Sequence, residues 1–415
     1  MVLSRYNYIL DPLIRSGFIY VIAGILILFT FIWPLWGLTA FLAWIPAQAL
    51  FPAEGLAGSV TKGFGLVVLV ASSRNIFNNI GRIFYSKEVY IYLSFVVWSF
   101  FSILWAGNQE SCFFKNLTYL QLFLLYLLII TSTDRQHYPL LLKGFVIGAL
   151  LSIFTIPFSS GAQDTFYLRA SGGGLDENEY ASTIAVALVL ALTWIQVENK
   201  LWKKIIPLTF IPLGLLAIAY TKSRTGTFAL LPFVLFLGTV FKNKGMGIKI
   251  LTILIVSASV LTLFYFMPEG YIDRVADINK RSGHRFYIWS VGIKIIINNL
   301  LLGVGSGNFA EVFPKYAGNP IASQGAVAHN SFISVFGELG IVGLSLFFWL
   351  FYGHIKDLFI FIKSKNNTDR DKLIAKGLLV ALSTFLIASL GISWEYNKLL
   401  PILLGLILLL VKSDG

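Results

Sequence analysis

The repetition of long apolar runs constrains this chain more than any other feature. They fall at 17–33, 35–51, 56–72, 89–106, 113–131, 139–157, 180–197, 205–220, 225–241, 249–266, 340–362, 373–393 and 396–411. A hydrocarbon layer of about 30 Å needs about 20 mostly apolar residues of helix to cross it. Backbone within lipid must satisfy its own hydrogen bonds, which leaves helices and closed barrels. These runs are too long and too little alternating for barrel strands. The composition agrees, with 57% hydrophobic and only 13% charged residues, where a soluble domain carries about 25% charged. The expected fold is all-α: a polytopic integral membrane protein, one transmembrane domain over 1–415.

The first residues, "MVLSRYNYILDPLIRSG", contain no small-residue cleavage site and read as a cytoplasmic lead-in to the first span. Cys112 is the single cysteine, so no intramolecular disulfide and no Cys-built metal site is expected. The net charge of +12 suggests a nucleic-acid partner only until the charges are placed. Most fall in short loops between runs. Arg74, Arg82 and Lys87 form one group, and "ENKLWKK" (198–204) a second. "FKNKGMGIK" (241–249) and "KSKNNTDRDKLIAK" (363–376) complete the set. Alternate crossings put all four on one side, which the positive-inside rule assigns to the cytoplasm. Strict alternation over every run would leave the N-terminus outside, against Arg5 and Arg15. About twelve crossings are therefore expected, with one of the first three runs broken near Pro34, Pro46 or Pro52.

The opposite face then holds 159–179 and 267–328, the latter a loop too long to lack a task. Within it, "RSGHRFYIWSVGIKIIINN" (281–299) has Phe286, Trp289, Ile293 and Ile296 at helical spacing. It reads as an amphipathic helix in the membrane surface, with Ser282 as N-cap and Arg285 in the first turn. Free N–H groups, the helix dipole and a guanidinium would together hold an anion. Arg224, with Lys222, sits at a turn on the same face, and His329 precedes another apolar helix there. An ordinary imidazole, with a pKa of about 6.5, is a usable base near neutral pH. Arg281, His284, Trp289, Asn330 and Glu338 flank these groups. Arg169 and the acidic stretch Asp176, Glu177, Glu179 could bind sugar hydroxyls, pair with the arginines or hold a cation; a plain capped helix start explains the stretch equally well.

Other signals carry no chemistry. "GVGSGNF" (303–309) lacks the lysine and the strand–helix context of a phosphate loop. "DRD" (369–371) lies in a loop too short for a nucleotide-binding domain. No metal spacing and no cofactor signature is present. Guanidinium forks suit phosphate oxygens, and an anion reaching a site lined by spans must come from the membrane. A polyprenyl diphosphate fits, with a sugar on it. The diphosphate leaves once its charge is stabilised, and a base such as His329 activates the incoming hydroxyl.

"RASGGGLDENEYAS" (169–182), "SRTG" (223–226), "HRFYIWSVGIKIIINNLLLGVGSGNF" (284–309) and "AHNSFISVFGELGIVG" (328–343), in that order, resemble the O-antigen ligase and polymerase superfamily. The resemblance implies a GT-C-like glycosyltransferase architecture of about twelve helices with a lateral opening and one long periplasmic loop. It implies that Arg224, Arg285 and His329 match the family's essential arginines and histidine, that the donor is undecaprenyl diphosphate-linked glycan, and that the site faces the periplasm from the bacterial inner membrane. The favoured acceptor is lipid A–core oligosaccharide. The ligase pattern often places a threonine where this chain has Gly343, which keeps a polymerase, extending glycan on a second carrier lipid, as the alternative. A protein-glycosylating transferase and a transporter of lipid-linked sugar come after it; a transporter needs polar groups along a central path, whereas here they cluster at one face.

Overall fold

A computed structural model describes residues 24–48, 56–156, 163–164, 167–168, 175–241, 278–318 and 326–412. The N-terminal lead-in, Arg169 and the apolar run at 249–266 lie outside the described residues. The described chain is helical apart from a two-residue antiparallel ladder, Gln163–Asp164 on Tyr167–Leu168.

The first helices are α1 (Pro34–Ala47), α2 (Leu56–Ala71), α3 (Lys87–Phe101), α4 (Gln109–Ser132) and α5 (Tyr138–Ile153). Next come α6 (Glu177–Val197), α7 (Ile205–Thr221), α8 (Arg224–Ala229), α9 (Leu231–Phe241), α10 (Ile278–Asn298) and α11 (Phe309–Ala317). The last three are α12 (Ser331–Lys363), α13 (Asp369–Ser389) and α14 (Leu399–Lys412). Among the described residues seven helices are long and apolar enough to cross a membrane, and shorter apolar helices accompany them. The chain is a multi-pass membrane protein.

α6 is the axis of the bundle. It is apolar all round, and every residue from Tyr180 to Trp194 is buried, as expected of a helix surrounded by others. α5, α7, α8, α9 and α13 pack around it. Pro34 begins α1 after a one-residue break at Trp33, whereas Pro46 lies inside its last turn without breaking it; Pro52 lies outside the described residues.

The two ends of the bundle differ. At one end the basic loops meet: Arg82 pairs with Asp134 at 2.6 Å, Arg135 with Asp371 at 3.0 Å and Lys143 with Glu198 at 2.9 Å. Lys412 joins them through Glu88. "DRD" belongs here: Thr368 caps α13, and Asp371 serves Arg135 and Tyr138. At the other end lie the turns after α3, α7 and α13 and the starts of α6 and α12.

α12 is interrupted at that second end. Gly340 adopts φ 65°, ψ −167°, a conformation essentially restricted to glycine. The break frees carbonyls that intrahelical bonds would have used. Val304 N–H donates to Gly337 O at 3.0 Å, Gly305 N–H to Glu338 O at 2.8 Å, and Trp98 Nε1 to Leu339 O at 2.9 Å. In return, Ile341 N–H donates to Leu300 O at 2.9 Å. The glycine-rich stretch 303–307 is thus a strut: Gly303 has φ 71°, and a Cβ there would lie 2.3 Å from the Glu338 carbonyl carbon.

Candidate active site

The site grows out of the turn between α7 and α8. Lys222 closes α7 in the left-handed conformation, φ 52°, and is buried. Ser223 then caps α8. Its Oγ accepts from Gly226 N–H at 3.1 Å and donates to Asn178 Oδ1 at 2.9 Å, which ties α8 to the start of α6. Gly226 lets the two helices touch, since a Cβ there would be 2.2 Å from Ala181 Cβ. This packing turns Thr225 inward, where its Oγ1 accepts from Arg285 Nη1 at 3.3 Å. The half-buried Arg285 thus reaches the residue that follows the half-buried Arg224 in the chain.

One turn along α10 from Arg285, Trp289 donates from Nε1 to Ala328 O at 3.1 Å. The next residue, His329, is half-buried with φ 47°, a left-handed backbone uncommon outside glycine. Asn330 caps α12: Oδ1 accepts from Phe332 and Ile333 N–H at 2.9 and 3.1 Å, and Nδ2 donates to Leu390 O at 3.1 Å. His329 is thus held at the head of α12, where its sequence position puts it. Both ends of the Asn330 amide bond the protein, so it holds that cap.

The segment after α13, "GISWEYNK" (391–398), knits these parts together. A Cβ on Gly391 would lie 2.6 Å from Thr225 Oγ1. Ser331 Oγ donates to Ile392 O at 3.1 Å and accepts from Trp394 N–H at 2.7 Å. Ser334 Oγ donates to Glu395 Oε1 at 2.6 Å. Lys115, from α4, pairs with Glu338 at 2.7 Å and Glu395 at 3.3 Å. Both carboxylates are buried. A cavity of about 250 Å³ opens beside this cluster, lined by Lys115, Phe309, Ala328, Ser334, Glu338 and Tyr396 among others.

Several expectations need correction. α10 begins at Ile278, not after Ser282. Ser282 is no N-cap and Arg285 lies in the helix interior, so free N–H groups of a first turn do not assist it. The helix is also apolar on two faces. Ile288, Val291 and Ile295 pack against Phe309 and its neighbours, whereas Phe286 and Ile293 are exposed. Of the expected stripe, Phe286 and Ile293 thus face outward, where a surface-lying helix meets lipid, whereas Ile296 is buried and Trp289 packs against the inner cluster. Arg281 lies one turn before Arg285, with His284 adjacent to it. Asp176 caps α6, its Oδ1 accepting from Asn178 and Glu179 N–H at 2.7 and 3.1 Å. That leaves the acidic stretch as a capped helix start. Among the described residues no three His, Cys, Asp or Glu side chains group as metal ligands. Glu338 reaches the site as a partner of Lys115 rather than as a free carboxylate.

Sequence reading missed Lys115, Ser334 and Glu395. Lys115 carries a usable signal, a lone cation inside the apolar run at 113–131, because ionisable groups at such positions are costly to keep. Glu395 has none, since its partners come from α4 and α12.

Residues 208–348, which include Arg224, Arg285 and His329, match the family described as O-antigen ligase. The match covers about a third of the chain and marks that part as similar to the O-antigen ligase superfamily. It is similar to proteins named "Putative polysaccharide ligase" from Rickettsia. With that of Rickettsia prowazekii (strain Madrid E) it shares 24% identity over 283 residues, 64% of this chain and 67% of the relative. With that of Rickettsia bellii (strain RML369-C) it shares 24% over 369 residues, 83% and 86% of the two chains. The likeness to that family and to the polysaccharide ligases indicates a glycosyltransferase-type enzyme.

Proposed function

We propose that the protein moves a glycan from undecaprenyl diphosphate to lipid A–core oligosaccharide at the periplasmic face of a bacterial inner membrane. The observation that carries this reading is the hydrogen bond from Arg285 to Thr225. It supports bringing Arg285 from one segment beside the residue next to Arg224 in another, at the end of the bundle where His329 heads α12. Paired guanidinium forks bind the diphosphate. The acceptor hydroxyl oxygen attacks the anomeric carbon from the face opposite the diphosphate. The C–O bond to phosphate breaks, and its electron pair leaves on the diphosphate, whose growing charge the arginines stabilise. The hydroxyl proton passes to His329. The product is inverted at the anomeric centre.

Arg281, His284 and Trp289, all on α10, and Lys222 beside Arg224 would line the donor's path, with Arg169 as a further cation from the segment before α6. The basic end of the bundle then faces the cytoplasm. The test supplies purified protein, without an energy source, with polyprenyl diphosphate-linked glycan and either lipid A–core or a second lipid-linked repeat. Glycan joined to lipid A–core supports the ligase. Extension of the second lipid alone would assign a polymerase, and translocation of donor without product would assign a transporter.

A further inference from the structure

Next to the cavity beside Lys115 lies a second one, a groove of about 350 Å³ between α2 and α4. Thr118 and Tyr396 line both, so the two adjoin. The walls of the groove are apolar, with Leu66, Leu69, Leu122, Leu125 and Leu128 among them. From Thr118 to Leu128 it follows α4 for about 15 Å at the usual helical rise. Leu66 is 61% exposed, so the groove opens sideways, toward what is hydrocarbon in a membrane. Its cations, Lys62 and Lys398, stand at the end nearest the site. Lys398 also donates to Gln48 Oε1 at 3.4 Å. Burial, and then the like charge of Lys62, hold the Lys398 ammonium below the usual lysine range. An anion between the two lysines would relieve that cost.

An apolar trough with paired cations at one end matches an amphiphile with an anionic head. Transfer between two lipid-borne glycans requires two such places, and the arginines account for one. The segment 391–398 separates them: Gly391 abuts Thr225 beside the arginines, whereas Tyr396 and Lys398 reach the groove. The polar cavity lies between. Ser393, which lines that cavity, has a buried hydroxyl, and the buried Glu395 an Oε2, without a hydrogen-bond partner among the described residues. Buried polar atoms of this kind are rare unless something serves them. Sugar hydroxyls supply donors and acceptors together, and the Tyr396 ring at the junction offers a flat apolar face to a sugar's C–H groups.

We propose that this groove seats the acyl chain of the acceptor, a phosphorylated glycolipid, with its phosphate between Lys62 and Lys398 and its sugar turned past Tyr396 into the cavity. The assignment rests on the transferase reading above. It is tested by direct binding of lipid A–core to the full chain in nanodiscs, alongside its dephosphorylated form and polyprenyl diphosphate. The variants are Lys62→Glu/Lys398→Glu and Leu66→Trp, each first checked for an unchanged unfolding temperature. Both should weaken lipid A–core binding about tenfold or more, the order expected from reversing two partly screened charges or filling the groove. Donor binding should stay within about twofold. The dephosphorylated lipid should bind the charge-reversed protein and the wild type alike. Wild-type binding of lipid A–core by both variants would overturn the proposal, as would an equal loss of donor binding. If the charge-reversed protein unfolds, Lys62→Gln and Leu66→Trp carry the same comparison. Lysine-dependent lipid binding without any transfer would sink the transferase reading and leave the groove standing. Transfer with an unaltered acceptor KM in the groove variants would do the reverse.

Discussion

Thr225 accepts from Arg285 at 3.3 Å, and this contact sets what each arginine variant should do. Arg285→Ala removes a charge from the leaving group and is expected to lower kcat for glycan transfer by about 100-fold or more. Arg285→Lys keeps the charge but not the planar fork, so it should recover only part of that loss. Full activity in the alanine variant would remove Arg285 from the mechanism. His329→Ala should cost about 10²–10⁴-fold in kcat and leave donor affinity nearly intact; single-turnover and donor-binding measurements separate the two. Lys115 behaves differently because it compensates two buried carboxylates. Lys115→Met strands those charges, and breaking such a pair costs about 3–5 kcal/mol. The unfolding temperature in detergent should fall accordingly, and replacing Glu338 and Glu395 by glutamine in the same protein should restore much of it. The polar residues of "SRTG" and "AHNS" were legible in sequence as candidates. Their division of labour was not, because hydrogen bonds assign Ser223 and Asn330 as caps, whereas Arg224 and His329 are the groups proposed for chemistry.

At the scale of elements, the apolar runs located most of the long helices to within a few residues, because burial in lipid demands continuous apolar sequence; α12, which begins at Ser331 ahead of the run at 340–362, is the exception. It was weakest where a helix breaks or lies flat. Gly340 interrupts α12, yet "FGELGIVG" reads as unbroken helix, since the partners that satisfy the freed carbonyls come from 303–305 and Trp98. For the same reason "GVGSGNF" could be excluded as a phosphate loop but not recognised as a strut. Gly340→Ala would set a Cβ 2.2 Å from Leu301 O in a backbone conformation alanine avoids. It should destabilise the protein by about 1–3 kcal/mol or more and loosen 300–308. Faster hydrogen exchange at Val304 and Gly305, measured by mass spectrometry, is the expected sign; unchanged protection there would show that the strut is not held by the break. α10 misled in another way. Its sequence is apolar on two sides, and periodicity alone could not say which side meets protein.

Across the whole molecule, the opposed ends follow from charge placement that sequence already displayed. Arg82, Arg135, Lys143 and Lys412 all find acidic partners at one end. The orientation has a direct check. Cys112 is buried, so the wild-type background should label poorly. In cells, a cysteine replacing exposed Glu110 should react with a membrane-impermeant maleimide from outside. One replacing exposed Lys365 should react only after permeabilisation. The reverse pattern would turn the site toward the cytoplasm and end the proposed function. The junction of arginine pair, histidine cap and lateral groove was illegible from sequence, because 391–398 looks like an ordinary gap between the last two apolar runs. That short connector leans on Thr225 at its first residue and reaches the groove mouth at its last. The proposed donor and acceptor sites would thereby be mechanically in series. Perturbing Gly391 and Lys398 together should give a double-mutant cycle that fails to add, although neither residue carries the chemistry.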